Sequence, residues 1–130
     1  LKILVYSDDS SIRQNLINAL GKRLAPELPE NEILEFATGP ALRQYLDAKG
    51  KVDLFILDGE AAPEGGMGIA RQLKDEIFNC PPVLLIVARA EDHWLGSWSR
   101  AEDVVVYPID PFTFASRAAK LITARTLAKN

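Results

Sequence analysis

Short, almost wholly apolar runs recur along this 130-residue chain, and between them hydrophobic residues return every three or four positions. The runs are Ile3–Tyr6, Ile33–Phe36, Leu54–Leu57, Val83–Val87 and Val104–Tyr107. Each has a strand's length and is rich in branched or aromatic residues. In the intervening segments Ile12, Leu16 and Leu20 fall on one helical face, as do Leu42 with Leu46, Ile69 with Leu73 and Ile77, and Trp94 with Trp98 in a fourth, shorter helix. The last helix carries a start signal, with Asp110 as cap and Pro111 at the first helical position. Phe112, Ala115, Ala119 and Ile122 then line one side, and the helix frays near Asn130. Strands without a polar face belong in a parallel sheet covered on both sides, and strict alternation of strand and helix supplies the covers. The expected architecture is α/β, a (βα)5 three-layer sandwich over residues 1–130 as one domain. The proline- and acid-rich stretch from Ala25 to Glu32 reads as a solvated loop.

Composition removes several function classes. A net charge of -3 offers no broad electrostatic footprint for a nucleic acid or an anionic membrane, and no apolar run reaches a membrane-spanning length. The lone Cys80 cannot close an intramolecular disulfide, which suits a reducing cytoplasm. One histidine and no nucleophile elbow leave nothing from which to build a hydrolytic triad.

Ligand sites in an open parallel sheet gather beyond the carboxyl ends of the strands. Ser7, Asp8 and Asp9 follow the first run, Asp58 the third, Ala88 and Arg89 the fourth, and Pro108 lies beyond the fifth. If the first and third strands are neighbours, Asp8, Asp9 and Asp58 share one edge, and such a carboxylate cluster calls for a cation. Oxygen ligands of this kind suit Mg2+, with a backbone carbonyl near Glu60 as a further donor. Other roles stay open: Asp8 or Asp9 can cap the first helix, with Ser10 competing, and Asp58 can be a turn residue ahead of Gly59. No glycine-rich loop follows the first strand, which disfavours a flavodoxin-like phosphate binder.

With these residues in place the chain resembles the receiver domains of bacterial two-component response regulators, the CheY-like fold. The matching pieces are Lys2-Ile3-Leu4-Val5-Tyr6 leading into acidic residues, Leu54-Phe55-Ile56-Leu57-Asp58, Pro82 to Ala88, and Pro108 with Asp110-Pro111-Phe112. The resemblance implies a flavodoxin-like sheet with strand order 2-1-3-4-5 and a phosphoacceptor at Asp58. It also implies Mg2+ held by Asp8, Asp9, Asp58 and the Glu60 carbonyl, and a cis Tyr107-Pro108 bond. The implied reaction is in-line attack of the aspartyl carboxylate on a phosphoryl donor, with hydrolysis of the acyl phosphate later. The implied partners are a histidine kinase or an effector protein, with a dimer through helix four, strand five and helix five as a further possibility.

The chain departs from the family pattern where signalling is read out. The acidic pair aligns on Ser7 and Asp8, leaving Asp9 one place late, so Mg2+ binding is expected to be weakened or absent. In the loop after Asp58, Pro63 stands one place later than usual. The switch Thr or Ser is Val87, the aromatic switch position falls on Val104, and the phosphoryl-binding Lys is Tyr107. Hydrogen bonds to a charged group contribute about 1.5 to 3 kcal/mol each, whereas throwing a two-state switch takes about 5.5 kcal/mol. Losing both donors removes most of that energy. The expectation is therefore an atypical receiver that acts by protein contact, with a conventional phosphorylation-responsive receiver as the alternative. Trp94, Trp98 and Arg100 mark a possible partner face, although the spacing of the two tryptophans also suits side chains that close the core. His93 belongs in a solvated turn, Cys80 at a helix end, and Arg71, Lys74, Asp75 and Glu76 on a solvated helix face.

Overall fold

A computed structural model describes residues 1–129, with the side chains of 1–127 placed; the expected fraying at Asn130 lies outside the described residues. Five strands, β1 (Lys2–Tyr6), β2 (Glu32–Phe36), β3 (Leu54–Asp58), β4 (Val83–Val87) and β5 (Asp103–Val106), form one parallel sheet in the order β2-β1-β3-β4-β5. They alternate with helices α1 (Ser10–Leu20), α2 (Gly39–Asp47), α3 (Gly66–Glu76), α4 (Leu95–Ser99) and α5 (Phe114–Lys129). The alternation is the one expected from the periods, and the flavodoxin-like strand order is the one the resemblance implies.

The two faces of the sheet explain why its strands are apolar throughout. Ile3 and Val5, Leu54 and Ile56, Leu84 and Ile86, and Val105 point to one side, where Leu16 and Leu20 of α1 and Phe114, Ala118 and Ile122 of α5 cover them. Their neighbours Leu4 and Tyr6, Phe55 and Leu57, Val83, Leu85 and Val87, and Val104 point the other way, onto Leu42 of α2 and Ile69, Ala70 and Leu73 of α3. Period two in the strands thus meets period 3.6 in the helices on both sides. Only the edge strand β2 is half exposed.

Several expectations need correcting. First, α5 begins at Phe114 rather than just after Asp110, because Pro111 to Thr113 form a turn whose Phe112 amide donates to Asp110 Oδ1 at 2.9 Å. Phe112 is consequently 92% exposed, and Phe114 takes the core position instead. Second, β5 starts and ends one residue early, which leaves Tyr107 outside the strand; the Tyr107-Pro108 bond is cis as expected, and Ala62-Pro63 is cis as well. Third, the tryptophans do not close the core. The short α4 buries its Gly96 and Ser99 face, so Trp94 and Trp98, on another face, remain 66% and 47% exposed. Of the charges expected on a solvated face of α3, Arg71, Asp75 and Glu76 are exposed. Lys74 is not: its side chain is only 8% exposed, and its ammonium donates to Glu102 Oε2 and to the Pro81 carbonyl, tying α3 to the chain before β4 and β5. His93 is exposed, and Cys80 is half-buried beyond α3, where burial raises its thiol pKa. In the loop before β2, Leu24 is buried and Leu28 packs on the core, so this segment is more than a solvated spacer.

Candidate functional site

Register brings the polar residues together. Tyr6 of β1 lies opposite Leu57 of β3, so the next residues, Ser7 and Asp58, face each other across the central strand pair. Both are buried, Ser7 completely and Asp58 to 3% exposure. The Ser7 hydroxyl donates to Asp58 Oδ2 at 2.7 Å, and the Glu60 amide donates to Asp58 Oδ1 at 2.8 Å. An ionised carboxylate accepts only, so the hydroxyl proton points to Asp58, while Ser7 Oγ accepts from the Asp9 amide at 3.1 Å. Arg13 holds the same turn from below, donating from Nη1 to the Ser7 carbonyl at 2.6 Å and from Nε to Glu35 Oε1 at 3.2 Å.

Asp9 is engaged in the helix. Its Oδ1 accepts from the Ser11 amide and hydroxyl and from the Ile12 amide, making it the N-cap of α1. These hydrogen bonds, the one from the Ser11 hydroxyl foremost, hold its carboxyl below the ordinary aspartate range. Asp8 is exposed beside it. The Glu60 side chain crosses to β4, where its Oε1 accepts from the Ala88 amide at 3.3 Å.

The loop after Asp58 is fixed by partners that lie far away in sequence. The buried Tyr6 donates its hydroxyl to the Glu64 carbonyl at 2.6 Å, and burial followed by the Glu64 charge keeps that phenol above its ordinary pKa. Arg43 of α2 grips the Glu64 carboxylate through both terminal nitrogens and also donates to Gln72 Oε1 of α3. Beyond the loop, a Cβ on Gly66 would stand 2.8 Å from the Asp58 carbonyl, so α3 starts against the backbone of the site itself. Neither the Arg43–Glu64 pair nor the Tyr6 bond was foreseen; in the sequence they are 21 and 58 residues apart and share no local pattern.

At the readout positions Val87 is wholly buried and Val104 is 5% exposed, both within the core on the α3 side. The Tyr107 hydroxyl accepts from Asn15 Nδ2 of α1 at 2.5 Å. On the α3 and α4 side, Trp94 and Trp98 line an open groove with Met67, Pro63 and Leu95. The Arg71 guanidinium lies 5.1 Å from the Trp98 ring centre and donates to the Trp98 carbonyl at 2.7 Å. Arg100 is exposed and paired with Asp75 at 2.6 Å.

A five-stranded parallel sheet in this order, with a buried aspartate ending its central strand, defines a protein of the receiver class. Solved structures agree at the level of fold. The response regulatory domain of protein mrkE from Klebsiella pneumoniae matches with a TM-score of 0.79 and 22% identity, over 98% of this chain and 99% of that one. The BeF3 activated DrrB receiver domain gives 0.70 and 22%, over 94% and 97%. A CheY-like response regulator receiver domain protein from Methanospirillum hungatei JF-1 gives 0.76 and 16%, over 98% and 97%. No protein-family model matches the chain. Two relatives from Mycobacterium tuberculosis, strains CDC 1551 and H37Rv, each named an uncharacterized response regulatory protein, are 52% identical over 124 residues. The alignment spans 95% of this chain and 92% of each relative, and the chain belongs to the response regulator receiver family.

Receiver domains typically bind Mg2+ at the phosphorylation site, are generally not enzymes, and interact with histidine kinases and effectors. Of the four donors that the resemblance assigns to that ion, two are already engaged by the protein. Asp9 Oδ1 is committed to α1, both oxygens of Asp58 accept hydrogen bonds from the protein, and a hydroxyl stands at residue 7. Among the described residues, no three His, Cys, Asp or Glu side chains cluster together. No described helix is long and apolar enough to cross a membrane.

Proposed function

We propose that residues 1–130 form one cytoplasmic receiver domain of atypical kind, which takes part in two-component signal transduction by protein contact and not through the usual Thr and Lys switch. The observation that carries this reading is the placement of Tyr107. Its hydroxyl is hydrogen-bonded to Asn15 of α1, while Val87 and Val104 place only methyl groups beneath the sheet edge. A phosphoryl group on Asp58 would therefore find neither the ammonium nor the hydroxyl that couples it to β4 and β5.

Asp58 is the proposed phosphoacceptor. A carboxylate oxygen attacks the phosphorus of a phosphohistidine or small phosphodonor, and the bond from phosphorus to the leaving group breaks as the acyl phosphate forms. The exposed Trp94, Trp98 and Arg100 are the proposed face for an effector, a histidine kinase or a second receiver. The test is incubation with Mg2+ and phosphoramidate, or with beryllofluoride, followed by intact mass and amide shifts. Any adduct is expected to perturb only residues around Asp58; a stable adduct with shifts throughout β5 and α5 overturns the reading. The conventional reading draws on the buried aspartate kept at the sheet edge and on Asp8, exposed one residue beyond Ser7. It requires partner capture to be lost in Asp58→Ala, where the reading proposed here requires capture to persist.

A further inference from the structure

We propose that the Ser7 hydroxyl does for Asp58 what a bound cation does in a cluster of carboxylates, so that this site holds its acid without Mg2+ and residue 7 sets its metal dependence. The inference rests on Asp58 being the reactive carboxylate, but not on how a signal leaves the domain.

Two buried carboxylates at hydrogen-bond distance repel, and a divalent ion relieves the repulsion. A buried carboxylate beside a hydroxyl needs no ion if the hydroxyl's proton is directed at it. That direction is determined here. Ser7 Oγ receives the Asp9 amide, and its own proton goes to Asp58 Oδ2 at 2.7 Å. The turn that carries the hydroxyl is held at two points: Arg13 donates to the Ser7 carbonyl, and the Ser7 amide donates to the Phe36 carbonyl of β2 at 3.2 Å. Asp58 Oδ1 is supplied independently by the Glu60 amide. Each oxygen of Asp58 is thus met by a protein donor at ordinary hydrogen-bond length. With Asp9 Oδ1 and both oxygens of Asp58 engaged by protein donors, an ion approaching past the exposed Asp8 has to compete with those hydrogen bonds.

Amide shifts of the unphosphorylated protein, titrated with Mg2+ alone, test the proposal. In the wild type, Asp8, Asp58 and Glu60 are expected to show no saturable shift up to about 10 mM, whereas Ser7→Asp saturates at a concentration about tenfold lower or less. Saturation of the wild type in the low millimolar range overturns the proposal, as does a folded Ser7→Asp chain that binds no more tightly than wild type. Ser7→Ala gives a second measurement if the acidic variant fails to fold. With the hydroxyl gone, Mg2+ is expected to raise the thermal midpoint of Ser7→Ala and leave the wild-type midpoint unmoved. An equal response in both proteins, or none in either, counts against the proposal. Because no phosphodonor is present, these outcomes are independent of the switch: an adduct that reorganises β5 ends the proposed function and leaves this inference standing.

Discussion

Asp58 sits where an apolar strand ends at the carboxyl edge of a parallel sheet, and what surrounds it follows from register more than from local sequence. The identity of the acid was legible at once, since Leu54 to Leu57 run directly into it. Its partner was not. Ser7 lies 51 residues away, and only the pairing of Tyr6 with Leu57 shows that its hydroxyl reaches the carboxylate. The same holds for Arg43 and Glu64. Their ion pair pulls the Glu64 carboxyl below the ordinary glutamate range, chiefly through the hydrogen bonds from Arg43. A depressed acid stabilises the fold above the unfolded-state pKa and loses that contribution as pH falls toward the folded value. The gap in urea midpoint between wild type and Arg43→Met should therefore narrow from about pH 5 to about pH 3. Asp9, whose pKa is also lowered, titrates in both proteins and cancels from the difference. A gap that stays constant across this range would mean that the pair adds no pH-dependent stability.

The helix-sheet contacts show why an element's neighbours can matter more than its own pattern. The tryptophans of α4 have helical spacing, yet the face that packs is Gly96 with Ser99. A Cβ on Gly96 would overlap Val104 Cγ2, so α4 and β5 approach as closely as they do because one residue lacks a side chain and the other is small. With Gly96 on the packed face, Trp94 and Trp98 are left facing outward. Gly96→Ala is expected to cost about 1 to 3 kcal/mol, as overpacking of a tight contact does, read as a lower urea midpoint with an unchanged slope. Pairing the same substitution with Val104→Ala should recover part of that loss. No recovery would place the strain somewhere other than this contact. The start of α5 carries a similar lesson. Asp110 does not cap the helix as its sequence suggests; it holds a turn that contains Phe112, and the helical stripe shifts to Phe114, Ala118 and Ile122.

At the scale of the molecule, every central strand contributes to both cores, so the two sides are expected to unfold together. Ile56 faces α1 and α5, and Leu57, its neighbour in β3, faces α2 and α3. Ile56→Ala and Leu57→Ala are each expected to lower stability by about 2 to 5 kcal/mol within a single cooperative transition. Circular dichroism and tryptophan emission should report the same midpoint for each variant; separate midpoints would indicate two independently stable layers. The division between foresight and discovery has the same physical origin. Periods of 2 and 3.6 are local properties of a chain, so hydrophobic spacing was enough to establish five strands, the helices between them, the parallel sheet and the edge where Asp58 would lie. The hydroxyl at that carboxylate, the grip of Arg43 on the following loop, the Asn15 bond to Tyr107 and the outward tryptophans all join residues distant in sequence. Such contacts have no period to read, because they depend on strand register and on how closely neighbouring backbones approach, and both are determined only when the whole sheet and its helices pack together.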